Sequence, residues 1–330
     1  MYSLKDDFAQ ITAGTPTTFR NLTLIPLLRP EPDCAEPDYL LAEDAILQGL
    51  AQITELADGG SVPELRLENN SPNAVLILDG EELLGAQQNR VLNLTILAPA
   101  KKVTIIPVSC VEAGRWHMQS TAFRPASHVM YARARAARSS QVTHAMRASG
   151  MRRCDQSAVW SDIAGKASRM DAESPTQSMA AVYDRHAITT EAYVRAFDCG
   201  ALQAGVVFAI DGHAVGFDLF DHPHTLQRLF PKLVRSYALD AMETATAAVR
   251  RSTGHVSIEG ILEGIAKATI FTQPAVGLGL DVRISGKRMS GGALWGADRY
   301  IHICTFSTSE AQAHGTVRTR ISRPTQRRHA

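Results

Sequence analysis

The chain has 330 residues, 45% hydrophobic and 20% charged, with a formal net charge of +1. This fits one large or two ordinary globular domains and excludes a disordered or collagen-like chain. No apolar run reaches the roughly 18 residues that span a bilayer, and the acid-bearing start MYSLKDDFAQ is not a signal peptide, so a cytoplasmic protein with no membrane contact is expected.

Residues 1–14 are read as an N-terminal extension. Phe19–Leu28 predicts a strand, and the turn-prone RPEPDCAEPD follows. Glu43–Leu50 predicts a short helix closed by Gly49. Glu64–Leu67 and Ala74–Leu78 predict strands around the turn NNSPN, and Asp79-Gly80 is a hairpin signal. In Arg90–Leu97, Leu92, Leu94 and Ile96 alternate with Asn93 and Thr95, and Val103–Val108 returns after a turn. That period of two is expected of half-buried antiparallel strands.

The middle predicts helices. Ser127–Ala148 is rich in Ala and Arg, Gln156–Met170 is a second helix, and Thr190–Phe197 is a third. From Ala113 to Cys154 there is no acid, but there are eight arginines: Arg115, Arg124, Arg133, Arg135, Arg138, Arg147, Arg152 and Arg153. Arginine without lysine favours forked contact with carboxylate or phosphate; a solvated helix face is the plain alternative.

The last third returns to strands. Gly205–Ile210, the turn Asp211-Gly212 and His213–Phe220 form a predicted hairpin. Leu226, Leu229, Phe230, Leu233, Val234, Tyr237, Ala238, Ala241 and Met242 form one helical stripe, which Pro231 should kink or restart. Gly292–Trp295 and Arg299–Phe306 predict a last hairpin, an echo of the earlier one. The tail 308–330 is acid-free after Glu310, contains Arg318, Arg320, Arg323, Arg327 and Arg328, and is read as basic and disordered.

Residues 78–116 concentrate the chemistry. Gln88, Asn89 and Arg90 could read a base edge or hold phosphate; equally, they could cap strand ends. Cys110 and Glu112 point to one side of a continued strand, with Arg115 and Trp116 beyond the bend at Gly114. Glu112 beside Arg115 suits a ligand anchor, and Trp116 suits ring stacking; the alternative is a buried ion pair with Trp116 in the core. Cys110 is either a nucleophile, with His117 or His128 as base, or an inert buried thiol. The catalytic candidates are therefore Glu112 and Cys110, and the ligand-binding set is Gln88, Asn89, Arg90, Arg115 and Trp116. The five scattered cysteines contain no C-x-x-C and are read as free thiols. Asp211, His213, Asp218, Asp221, His222 and His224 have metal-ligand types without metal-site spacing, so no metal set is expected and no cofactor is assigned. Asp211 is explained by its turn and Asp221 by capping the next helix. Nucleotide loops and hydrolase signatures such as G-x-G-x-x-G and G-x-S-x-G are missing.

Gly80-Glu81, Gly85, Gln88-Asn89-Arg90, Asn93, the Pro107–Trp116 run and the later FDLFDHPHTLQRLFPKLVRSYALDA carry a resemblance. Over most of residues 15–307 the chain resembles an uncharacterised prokaryotic family, the ARG and Rhodanese-Phosphatase-superfamily-associated protein domain. The name implies association with ADP-ribosylglycohydrolase and phosphatase-type proteins, and a place in NAD or ADP-ribose metabolism.

The expected fold is α+β: antiparallel sheets from the N- and C-terminal thirds with a helical, Arg-rich middle segment. It forms a single unit over 15–307, strand-rich in 15–116, helical in 124–200 and mixed in 201–307. The expected function is binding, with hydrolysis or transfer, of a phosphorylated nucleotide-like ligand. The alternative is a non-enzymatic module that grips nucleic acid or an acidic protein through the Arg-rich segment and tail.

Overall fold

The computed structural model describes residues 3–32, 34–56, 63–246 and 256–308. The first third holds α1 (Leu4–Phe8), β1 (Thr12–Ala13), β2 (Thr17–Phe19), β3 (Leu22–Leu28), β4 (Tyr39–Leu41), α2 (Ala42–Leu47), β5 (Ala51–Thr54), β6 (Glu64–Asn69), β7 (Ala74–Ile77), β8 (Glu81–Gly85), β9 (Arg90–Leu92), β10 (Ile96–Ala98) and β11 (Lys102–Cys110). The middle holds β12 (Phe123–Val129), α3 (Ala132–Ser149), α4 (Gln156–Arg169), α5 (Met179–Arg185) and α6 (Ala187–Arg195). The last part holds β13 (Gln203–Ile210), β14 (His213–Phe220), α7 (Pro223–Thr246), α8 (Ile258–Ala266), β15 (Thr269–Pro274), β16 (Leu280–Gly286), β17 (Met289–Gly296) and β18 (Arg299–Ser307).

The protein is α+β. A nine-stranded sheet runs β1-β3-β13-β14-β18-β17-β16-β15, with β2 also on β3, so N-terminal and C-terminal strands share one sheet. A six-stranded sheet runs β12-β8-β9-β11-β6-β5, and a small one runs β10-β7-β4. Among the described residues all pairings are antiparallel except β4 with β7. The extension read at 1–14 contributes β1 to the large sheet. The predicted echo lies side by side there: β14 pairs with β18, and Asp218 faces Cys304. Positive φ at Asp211, Gly212, Ala297 and Asp298 makes both hairpin turns.

The predicted apolar stripe of α7 is buried against the large sheet from Leu226 to Ala241, with Met242 at its margin. Each large apolar side chain buried there contributes about 1.5–3 kcal/mol. Pro231 neither splits nor restarts α7, which runs through it as one helix. Tyr237 stacks on Phe208 at 3.8 Å, over the space that Gly216 leaves open.

Several sequence expectations are corrected. Phe19–Leu28 is two strands, because Arg20 at φ 55° turns the chain between them. Asp79-Gly80 does turn, with Gly80 at φ 81°, but β7 and β8 are not a hairpin: β7 pairs with β10 and β4, and β8 with β9 and β12. The turn passes the chain from one sheet to another. Arg90–Leu97 is likewise broken into β9 and β10 in different sheets, and Asn93 and Thr95 are buried like the leucines. Asn93 is satisfied by Ser109 and the Arg152 carbonyl, and Thr95 by His302. The start of the predicted helix Ser127–Ala148 is the strand β12, and α3 begins only at Ala132. The carboxylate of Asp221 serves Tyr39 and Arg299 instead of capping α7.

Candidate functional site

The motif 85–90 and 110–116 folds into a sealed corner. Gly85 at φ 125° and Ala86 at φ 46° bend the chain after β8. Arg115 fills the bend: its Nε donates to Glu112 at 2.8 Å, and its Nη atoms donate to the carbonyls of Gly85, Ala86 and His117 and to Asn89 Oδ1. Gln88 bridges the Glu112 carbonyl and Arg90, and Arg90 reaches Glu55 at 3.5 Å. Arg90 and Arg115 are each 1% exposed, so both forks expected to hold phosphate are engaged inside the protein. Trp116 stands 54% exposed on the outer loop, apart from this cluster. Cys110 is fully buried, and burial pushes its thiol up to about 11 against the lowering effect of Arg90, which disfavours a thiolate at neutral pH.

Beside this corner lies a cleft of about 900 Å³. Its floor is β12, from Arg124 to His128, with the end of β8. Its walls are the 112–122 loop, the α5–α6 pair, Arg235 of α7 and Glu43 of α2. Gly114 lets the loop close on residues 174–178, since any side chain there would meet the Pro175–Thr176 backbone. The Gly114 N–H donates to the Thr176 carbonyl, and Glu112 bridges to Ser178. Of the residues singled out from sequence, Asn89, Glu112, Arg124 and His128, the last named as a candidate base for Cys110, line the cleft; Gln88, Arg90, Arg115 and Cys110 lie behind it. Burial raises the Glu112 carboxyl, but Arg115, Thr176 and the Asn89 N–H outweigh it and hold the group below the ordinary carboxylate range.

A pair that the sequence reading did not assemble sits in the floor. His128 Nε2 meets Glu82 Oε2 at 2.6 Å, with His128 4% exposed and Glu82 wholly buried. The His128 ring stacks on Tyr183 of α5 at 3.6 Å. Tyr183 is anchored in turn by its hydroxyl on the Val129 carbonyl. His128 Nδ1 has no hydrogen-bond partner among the described residues, yet it is not one of the sealed unsatisfied atoms. When Glu82 is ionised it accepts from Nε2–H, and Nδ1 is then the acceptor nitrogen facing the cleft. Glu82 Oε1 is buried without a partner. Burial pushes the Glu82 carboxyl up; His128 opposes this, and Glu112 and Asp184 add to it.

The acid-free arginine segment divides. Arg135 and Arg138 of α3 are buried and pair with Asp218 at 2.9 Å and Asp79 at 3.0 Å, while Arg124, Arg133, Arg147 and Arg153 are exposed. The signal for the buried pair was the lack of acids nearby in sequence, since their partners come from distant turns and strands. Asp218, His302 and Cys304 bring ligand-type atoms within 4.8 Å of one another, a grouping that the spacing in sequence did not show. Arg135 already supplies positive charge to Asp218 there, and burial pushes the Cys304 thiol up to about 12. The tail arginines from Arg318 onward lie outside the described residues. No described helix is long and apolar enough to cross a membrane.

No curated protein and no solved structure shows significant similarity to the chain. A family description does match, over residues 10–306, and so takes in every element of both walls and the floor of the cleft. The chain belongs to the ARG and Rhodanese-Phosphatase-superfamily-associated Protein domain family.

Proposed function

We propose that the cleft binds a polar small molecule and that His128, positioned by Glu82, moves a proton in its hydrolysis or group transfer. The carrying observation is the Glu82–His128 pair at 2.6 Å, with one ring nitrogen held by a buried carboxylate and the other left unpartnered at the wall of the cleft. A carboxylate that fixes the imidazole tautomer leaves the second nitrogen poised to accept a proton. A volume of about 900 Å³ suits a ligand of nucleotide size. NAD- and ADP-ribose-derived compounds, to which the family's name points, belong in the test as its phosphate-bearing members. In this reading Glu112 is the wall carboxylate, and the Arg115 corner keeps it in place.

The test is turnover by the full-length chain, followed by NMR over a panel of polar metabolites that includes NAD and ADP-ribose. His128→Gln should lower turnover about a hundredfold or more, and Ala181→Trp, which fills the cleft, should abolish it. Cys110→Ser should leave it unchanged. Turnover that survives His128→Gln would exclude the proton-transfer role.

A further inference from the structure

The ligand's charge follows from a comparison of which cleft groups are neutralised and which are not. Four carboxylates line the cleft (Glu43, Glu112, Asp184 and Glu191) against two guanidiniums, Arg124 and Arg235. Three of the acids are already paired: Glu43 with Lys232 at 3.0 Å, Glu112 with Arg115 at 2.7 Å and Glu191 with Arg235 at 2.8 Å. Asp184 has no side-chain partner among the described residues, and it directly follows Tyr183, the ring stacked on His128. Independently of that acid, His128 is 4% exposed, lines the same cleft and has an unpartnered Nδ1. Behind it stands the buried Glu82, with one oxygen unsatisfied. Among the described residues, the His128 end of the cleft therefore presents acceptors and negative charge and offers no free donor cation.

We propose that the recognised group of the ligand is a cation, an amine or guanidine that donates to Asp184 and to His128 Nδ1, and that phosphate-rich ligands are rejected. This rests on the cleft being the binding site. A phosphate placed at this end would meet Asp184 and Glu112 and, among the described residues, no unpaired lysine or arginine. Arg124, the unpaired guanidinium, lies four residues earlier on β12, about 13 Å away at strand rise. It leaves room for one anionic group at the far end of the ligand. An ammonium next to His128 also suits proton transfer, because its N–H meets the acceptor nitrogen directly.

The experiment is calorimetric titration of the full chain with agmatine, ADP and inorganic phosphate at constant ionic strength, in the parent and in Asp184→Asn, Arg124→Ala and Ala181→Trp. Agmatine should bind the parent, bind Ala181→Trp not at all, and bind Asp184→Asn at least tenfold more weakly, the loss expected for a charged hydrogen bond. ADP and phosphate should give no heat of binding. Asp184 is exposed, so its variant should fold, and circular dichroism checks that. ADP or phosphate binding that Ala181→Trp removes, together with no agmatine binding, would overturn the charge assignment and leave the cleft standing. Binding of any of the three that Ala181→Trp leaves intact would overturn both. Silence from agmatine at millimolar concentration would overturn the cation assignment.

Discussion

At the residue scale, the informative contrast is between Arg115 and Glu82. Every donor of Arg115 is used by the corner that surrounds it, so its burial is accounted for by structure alone. Glu82 is the reverse case: a buried carboxyl with one oxygen unsatisfied and its titration pushed up chiefly by burial. A group raised in the folded state contributes its stability below its unfolded value and loses it as pH rises through the folded one. Above that folded value the charged Glu82 is therefore a burden on folding. Glu82→Gln, which removes the charge and keeps the shape, should unfold in denaturant at pH 8 no earlier than the parent. It should still lose about a hundredfold in turnover, because an amide cannot stabilise the imidazolium. A variant that loses stability and activity together would mark Glu82 as structural. Of this site, Glu112 and Asn89 were legible, because a strand end followed by Gly114 is a local signal. The Glu82–His128 pair was not: 46 residues separate the two, and it forms only because β12 pairs with β8.

At the element scale, α7 and the two late hairpins were legible because each carries its own pattern, a helical stripe or a Gly/Asp turn. The break between β9 and β10 and the strand β12 were not. Alternation in Arg90–Leu97 reports two faces and cannot report that both are buried in different sheets. Near Ser127 the Ala/Arg composition of α3 obscured a strand whose partner, β8, lies far away in sequence. One tight element contact is α7 on the large sheet at Gly216. A methyl built on Gly216 falls on the Tyr237 ring, which is stacked on Phe208 at 3.8 Å and bonded to Asp218 at 3.2 Å. That ring cannot swing away, so Gly216→Ala should cost about 3 kcal/mol in urea unfolding. Adding Tyr237→Ala should restore part of the loss, a coupling that separate sites would not show. Strictly additive effects would mean that the sheet yields instead of the ring.

At the scale of the whole molecule, buried charge is distributed across the sheets, and its signs predict how stability depends on pH. Burial raises Asp218 and Glu243 as it does Glu112, but paired cations win in each case. Arg135 and His302 hold Asp218 below the ordinary carboxylate range, and Lys166 and Arg169 do the same for Glu243. Such groups contribute stability above their unfolded value of about 4, and that stability is lost as pH falls through the depressed one. Asp221, raised by burial against Tyr39 and Arg299, has the sign of Glu82 and gives up its contribution as pH rises. The two sets act on opposite limbs, so unfolding free energy should peak near about pH 5 and fall on both sides. Because β3 lies in one sheet with β13 to β18 and Arg135 ties that sheet to the Asp79 turn, both limbs should remain single transitions. Denaturant melts from pH 3.5 to 8.5, read by tryptophan fluorescence and far-ultraviolet circular dichroism, check this. Arg115→Met should flatten the acid limb, since Glu112 then loses the partner that depresses it, and Glu82→Gln should flatten the alkaline one. A profile that rises steadily to pH 8 would mean that burial does not raise Glu82 and Asp221 in the folded protein, and the alkaline limb assigned to them would be wrong.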